Sequence, residues 1–208
     1  MWMNDPEGDG WGSPSIEKPY CNTAARHSYS VGEDFNHSSV LTKNYVKQTI
    51  KHWITEFKID GFRWDLTKGF TQNCSGGDDA CTNGFQADRI AVLKEYADYS
   101  WSLDTDHYVI FEHLGSDAEE QQWANYRIGE GKGIMMWGEM YTQYKELAMG
   151  YASQNISRMS HTSRGFTGKR LIGYPESHDK DRMMYEAITN GNGAGAFPVN
   201  GNLTNALN

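Results

Sequence analysis

Short apolar runs alternate with longer amphipathic segments along the chain, and this alternation constrains the fold more than any other feature. The runs cover residues 59–66, 108–111, 134–137 and 171–174. They are too short for helices, and glycine lies within the first and last, so they predict buried strands. Strands that alternate with helices form parallel sheets, so the pattern predicts an α/β fold with helices covering a parallel sheet.

The segments between and after these strands are predicted to be helices. The first has the clearest signal, because Ile50, Ile54 and Phe57 recur at helical spacing behind two serines that are candidate N-caps. That helix is expected to end near Phe57, and the others cover residues 85–99, 117–126, 141–151 and 182–188. Residues 1–37 are rich in Gly, Pro, Asn and Ser, which predicts a loop or irregular segment ahead of a domain formed by residues 38–208.

The composition allows one globular domain and argues against several classes of partner. With 208 residues, 38% of them hydrophobic, the chain can bury a core. A formal net charge of −8 leaves no basic stripe for nucleic acid or anionic lipid. No apolar run is long enough for a membrane helix, and the N-terminus lacks the regions of a signal peptide. Neither nucleic acid nor membrane is expected as a partner.

Two of the three cysteines, Cys74 and Cys81, flank a short polar loop. The sequence leaves two alternatives open for them, a disulfide that closes the loop or two thiols. A zinc site is disfavoured, because neither cysteine belongs to a C-x-x-C pair and no histidine lies close by. The compartment is not specified, although a disulfide would favour an extracellular or periplasmic one.

Charged side chains recur at the carboxyl ends of the predicted strands. They are Arg63, Asp65, Glu112, Glu139, Glu176, His178 and Asp179. Active sites of α/β folds are built at that end of the sheet. Acidic groups gathered there repel one another, which costs electrostatic free energy. Such a cluster therefore indicates a functional site. Glycoside hydrolysis is a natural use, because one carboxylate attacks the sugar or activates water while a protonated carboxyl donates to the leaving oxygen.

Three segments carry a family resemblance. Residues 60–68, DGFRWDLTK, resemble the fourth-strand motif of the α-amylase family of glycoside hydrolases. Residues 111–113, FEH, are similar to its fifth-strand motif, and residues 175–182, PESHDKDR, resemble its seventh-strand motif. The three occur in the family's order and at compatible spacing. The resemblance implies a (β/α)8 TIM barrel and an α-glucan substrate, starch or a similar oligo- or polysaccharide.

The resemblance also implies a role for each catalytic position. Asp65 corresponds to the nucleophile, Glu112 to the general acid and then base, and Asp179 to the carboxylate that orients sugar hydroxyls. The implied reaction is retaining double-displacement cleavage of α-1,4-glucosidic bonds. Arg63 would orient Asp65, and His178 would bond a sugar hydroxyl.

Further residues are predicted to bind substrate. Lys68 matches a substrate-contacting position of the family motif, and Trp137 and Tyr174 are candidate platforms for sugar rings near strand ends. Trp64 is expected to pack in the core instead, because strand alternation turns it to the face opposite Arg63 and Asp65.

The sequence also departs from the family. Gly69 stands where many members have a histidine, and Ser177 where asparagine is common. The resemblance allows a structural calcium in the full-length protein, but the glycine puts that site in doubt, and no other cofactor is implied. Only strands four to seven of the barrel are recognised, with residues 1–37 as the irregular remainder of an upstream barrel segment. The chain alone is therefore expected to be weakly active at best.

Several alternatives stay open. Residues 34–37, DFNH, together with the FRWDL sequence also resemble debranching enzymes of the pullulanase and isoamylase type, which cut α-1,6 links. Transglycosylation uses the same carboxylates and is equally compatible with the motifs. From another class, the chain could be a noncatalytic barrel relative that binds sugar or a protein. That alternative is disfavoured because all three carboxylate positions are filled.

Overall fold

A computed structural model describes residues 20–29, 34–151, 154–194 and 198–207. Much of the predicted irregular segment at residues 1–37, including residues 1–19 and 30–33, lies outside the described residues. The chain divides into two compact units, Met1–Met135 and Met136–Asn208.

The first unit contains two parallel strands and the helices that cover them. Its elements are α1 (Val40–Phe57), β1 (Gly61–Trp64), α2 (Asp79–Asn83), α3 (Ala87–Leu103), β2 (Tyr108–Phe111) and α4 (Asp117–Ala124). β1 and β2 pair in parallel, with Gly61 opposite Tyr108 and Trp64 opposite Phe111. This register brings the residues that directly follow the two strands side by side.

Helix α1 begins and ends where its sequence predicts. The Ser39 hydroxyl accepts a hydrogen bond from the Leu41 N–H at 3.3 Å, which identifies Ser39 as the N-cap. At the other end, Lys58 adopts a left-handed conformation with φ of 53°, and the chain turns into β1. Ile50 and Ile54 are buried on the helix face that packs against α3.

An aromatic cluster lies between β1 and α3. The Trp64 ring stacks on Tyr96 with centroids 5.5 Å apart and planes 8° apart, and it meets Phe111 edge to face at 6.2 Å. Tyr96 is fully buried, and burial raises its pKa above the ordinary value. Trp64 is half-buried and packs against the core rings of Tyr96 and Phe111.

The second unit repeats the strand and helix arrangement. Its elements are β3 (Met135–Glu139), α5 (Tyr141–Ala148), β4 (Leu171–Tyr174), α6 (Met183–Asn190) and α7 (Leu203–Leu207). β3 and β4 pair in parallel, with Glu139 opposite Tyr174, and α5 packs against α6. The parallel pairing in both units confirms the predicted α/β class.

Helix boundaries differ from the sequence prediction more than strand boundaries do. β2 and β4 have the predicted bounds, whereas α3 ends at Leu103 because its buried face continues through Ser100 and Trp101. α5 ends at Ala148, shortly before Gly150, which has a positive φ of 80°. No helix within the described ranges is long and apolar enough to cross a bilayer.

Candidate active site

Arg63 lies between the two carboxylates predicted for the first unit. Its Nη2 donates to Glu112 Oε2 at 2.7 Å, and its Nη1 donates to Asp65 Oδ1. The contact arises because Arg63 lies one residue before the end of β1, while Asp65 and Glu112 follow the ends of β1 and β2. The structure therefore brings together three of the predicted site residues around one guanidinium.

The two carboxylates differ in their exposure to solvent. The Asp65 side chain is 73% exposed, whereas that of Glu112 is 15% exposed. Burial raises the pKa of Glu112 above its usual range, and a hydrogen bond and the negative charge of Asp65 raise it further. The hydrogen bond from the Leu66 N–H and the charge of Arg63 lower the pKa of Glu112, but the net shift remains upward. Glu112 therefore holds its proton to a higher pH than an ordinary glutamate.

A backbone amide supplies another contact to Glu112. The Leu66 N–H donates to Glu112 Oε2 at 3.1 Å, from a residue in the left-handed region with φ of 42°. That conformation costs a non-glycine residue about 1 to 2 kcal/mol, so the surrounding turn must hold it in place. Sequence reasoning missed this contact, because neither the left-handed turn nor its amide donor has a residue-type signature here.

Lys68, a predicted substrate-binding residue, is held by two partners that the sequence did not reveal. Its Nζ donates to Asn83 Oδ1 at 2.8 Å and lies 5.4 Å from the centroid of the Tyr29 ring. Asn83 Nδ2 also donates to the Tyr29 hydroxyl at 2.8 Å. A disulfide between Cys74 and Cys81 closes the loop just before Asn83. The two cysteines were therefore the only sequence signal for the position of Asn83, and an indirect one.

The remaining predicted site residues lie in the second unit. Tyr174 ends β4, and His178 and Asp179 follow that strand, whereas Trp137 lies inside β3, which extends two residues past the predicted end. Asp179 Oδ1 lies 3.5 Å from His178 Nε2, and these side chains are 57% and 69% exposed. The Trp137 and Tyr174 rings lie next to each other with centroids 4.7 Å apart. Since Asp179 and the pair Asp65 and Glu112 belong to different units, their grouping in one site stays a prediction.

Acidic neighbours in the second unit have structural partners. Glu139 lies 3.3 Å from Lys180 Nζ, and Glu176 accepts a hydrogen bond from the Met183 N–H at the start of α6. These contacts give both side chains a structural partner within the second unit. Across the part of the chain that the structure describes, His, Cys, Asp and Glu side chains form no group of three or more suited to a metal ion.

Two solved structures share the fold of this chain. An Anoxybacillus α-amylase, described as a new glycosyl hydrolase subclass, matches with a TM-score of 0.50 and 19% identity over 78% of this chain and 32% of that one. Eubacterium rectale Amy13B matches with a TM-score of 0.50 and 16% identity over 76% of this chain and 33% of that one. The chain shares the fold of a segment of each of these two proteins, and it spans about a third of their length.

Sequence comparison adds a short match to two curated isoamylases. Isoamylase SU1 of Zea mays and isoamylase 1 of Oryza sativa subsp. japonica, both chloroplastic, are each 34% identical over 50 residues. The match covers 24% of this chain and 6% of each isoamylase. No family model matches the chain.

Proposed function

We propose that the chain carries the catalytic residues of a retaining glycoside hydrolase that cleaves α-1,4-glucosidic bonds of starch-like α-glucans. The observation that carries the proposal is the shared contact of Asp65 and Glu112 with Arg63, combined with the raised pKa of Glu112. Retention needs one ionised and one protonated carboxyl in close proximity, and the shared guanidinium supports that proximity. The α-amylase fold supports the substrate class.

Asp65 is suited to the role of nucleophile. Its exposed side chain is open to a sugar ring, while Arg63 orients one of its oxygens. In the first step an Asp65 oxygen forms a bond to the anomeric carbon as the bond to the leaving oxygen breaks. A glycosyl ester on Asp65 results.

Glu112 is suited to general acid and then base catalysis. In the first step it gives its proton to the leaving oxygen, and burial together with Asp65 keeps that proton in place beforehand. In the second step Glu112 takes a proton from water, and the water oxygen attacks the anomeric carbon. The ester bond to Asp65 breaks as the new bond forms, and the configuration at the anomeric carbon is retained.

The other predicted residues complete the proposal as substrate contacts. Asp179 and His178, both largely exposed, are assigned to sugar hydroxyls. Lys68 is assigned to a further hydroxyl, and the adjacent Trp137 and Tyr174 rings to the C–H face of a sugar. An α-glucan is the only partner in this assignment.

The match to two isoamylases supports a second candidate, α-1,6 debranching by the same carboxylates. Product analysis separates the two. Release of short oligosaccharides from amylose supports α-1,4 cleavage, whereas cleavage of pullulan at its α-1,6 links without action on amylose supports debranching.

The proposal is tested by Asp65→Asn and Glu112→Gln, with Asp106→Asn as the matched control. Asp106 is also exposed, and it lies in the turn before β2. We expect both site variants to lose about three or more orders of magnitude in kcat on amylose, while the control keeps the parent rate and all three keep the parent circular dichroism spectrum. Near-normal turnover by Asp65→Asn would refute the nucleophile assignment.

A further inference from the structure

A buried polar network lies behind Glu112, with no role in the chemistry proposed above. Its side chains come from Arg89, His113 and Glu119, each completely or almost completely buried. Arg89 Nε and Nη2 each donate to one Glu119 carboxylate oxygen at 2.6 Å. This two-bond geometry is the strongest that an arginine and a carboxylate form.

The Arg89 guanidinium is fully satisfied in spite of its burial. Besides Glu119, its nitrogens donate to the carbonyl oxygens of Thr82 and Gly84 at 2.7 Å and of Lys68 at 3.1 Å. These bonds account for all five N–H donors of the side chain. A buried charge with complete partners forms a rigid anchor, because removing any partner leaves an uncompensated group.

His113 extends this anchor towards the site. Its Nε2 lies 3.1 Å from Glu119 Oε2, and its Nδ1 lies 3.2 Å from Thr67 Oγ1. Burial lowers the pKa of His113, while the hydrogen bond to the Glu119 carboxylate acts in the opposite direction. Gly115 packs directly against the ring, where a Cβ atom would come within 2.5 Å of Nε2.

Thr67 is the last member of the chain of contacts. Its N–H donates to the Glu112 carbonyl oxygen at 3.0 Å, and its hydroxyl lies 3.1 Å from that same oxygen. The preceding residue, Leu66, donates its N–H to the Glu112 carboxyl from the strained left-handed conformation. Thr67 therefore ties the turn after β1 to the backbone that carries Glu112.

We propose that Thr67 and His113 are positioning residues, which use the Arg89–Glu119 anchor to hold the Leu66 N–H against the Glu112 carboxyl. The proposal rests on the proposed role of Glu112 as the acid and base. A left-handed leucine relaxes readily when its turn is loosened, and the amide donor to the carboxyl is then lost. Catalytic groups must be held closely in the productive geometry, so this loss slows the proton transfer.

The test replaces the Thr67 hydroxyl and leaves the volume of the side chain nearly unchanged. Thr67→Val removes the hydroxyl, and Thr67→Ser retains it. Thr42→Val is the matched control, because Thr42 is equally buried and its hydroxyl donates to the Tyr20 carbonyl at 2.9 Å, on α1. Each variant is measured for the pKa of Glu112 by carbon-13 NMR titration, and for kcat and KM on amylose.

We expect Thr67→Val to lower kcat about tenfold with KM changed less than about twofold, because a group that only positions the acid acts on the chemical step. The pKa of Glu112 should rise further, since an amide that stabilises the carboxylate is lost. Thr67→Ser should restore both values, and Thr42→Val should change neither.

The proposal is overturned if Thr67→Val and Thr42→Val give the same kcat and the same Glu112 pKa. If Thr67→Val does not fold, His113→Asn provides the same test. The asparagine amide stays near Thr67, but the shorter side chain no longer contacts Glu119. If the parent protein hydrolyses no α-glucan, the proposed function fails, while the NMR titration still decides whether Thr67 positions the Glu112 carboxyl.

Discussion

The carboxylates that follow β1 and β2 differ from those that follow β4 in how the protein holds them. Asp65 and Glu112 share one guanidinium, and Glu112 also accepts a backbone amide whose turn is tied to a buried ion pair. Asp179 contacts its own neighbours in the chain, the His178 ring and the Ser177 hydroxyl, and is 57% exposed. Glu112 is thus set in place by residues far along the chain, whereas Asp65 and Asp179 are each held by neighbours within two positions.

This difference shows which carboxylate is preorganised before a sugar binds. Groups fixed by buried contacts keep their geometry without cost when a ligand arrives, while exposed groups lose conformational freedom on binding. The role of acid and base is therefore assigned to Glu112, whose side chain is only 15% exposed. Asp179 is suited to contacts that form as the sugar docks.

The largest effect is expected at Arg63. Arg63→Gln removes the contacts to both Asp65 and Glu112, and we expect kcat/KM on amylose to fall about 100- to 1000-fold, as for the loss of a preorganised charge contact. Arg182→Gln is the matched change in the second unit, where Arg182 is 73% exposed and 3.7 Å from Glu176. An equal loss in both variants would erase the contrast between the two groups of carboxylates.

A stability effect is expected at the buried anchor. Glu119→Gln leaves the Arg89 charge without its partner, which costs about 3 to 5 kcal/mol in the free energy of unfolding. Lys180→Gln breaks the part-exposed pair with Glu139 and should cost less than about 1 kcal/mol. Urea unfolding followed by tryptophan fluorescence measures both, and a cost for Glu119→Gln as small as that for Lys180→Gln would contradict the role of the network.

A smaller effect is expected in the titration of Glu112. Asp65→Asn removes a negative charge and a hydrogen-bond partner that raise the pKa of Glu112, so the pKa should fall towards the ordinary value. Because the acid must be protonated, activity of the parent protein should be lost as pH rises through the Glu112 pKa. Carbon-13 NMR of the Glu112 carboxyl reports the change directly, and a pKa that stays the same or rises in Asp65→Asn would rule out this cause.

The smallest effect is expected at the loop closed by the disulfide. Replacing Cys74 and Cys81 with serine loosens the segment that leads to Asn83, the partner of Lys68. We expect KM on maltooligosaccharides to rise about threefold with kcat unchanged, since the change affects binding alone. Cys21→Ser is the control, and a loss of kcat in the disulfide variant would place the loop in the chemistry instead.

Much of the fold and half of the site could be predicted from local sequence. The bounds of β2 and β4 follow from apolar runs, and Asp65 and Glu112 from their places directly after strands. The partners Asn83, Arg89 and Glu119 could not be predicted, because they reach the site through contacts between residues far apart in the chain. The left-handed Leu66 was missed for a related reason: leucine has no preference for that conformation, and the turn imposes it.

The central claim, that Asp65 attacks the sugar, is tested most directly by locating a covalent intermediate. The Glu112→Gln variant is incubated with α-maltosyl fluoride, whose fluoride departs without a general acid, so the glycosyl ester accumulates when the base is absent. Digestion and tandem mass spectrometry then locate the sugar. We predict a maltosyl ester on Asp65. An ester on Asp179, or no ester on any carboxylate, would contradict the claim that Asp65 is the nucleophile.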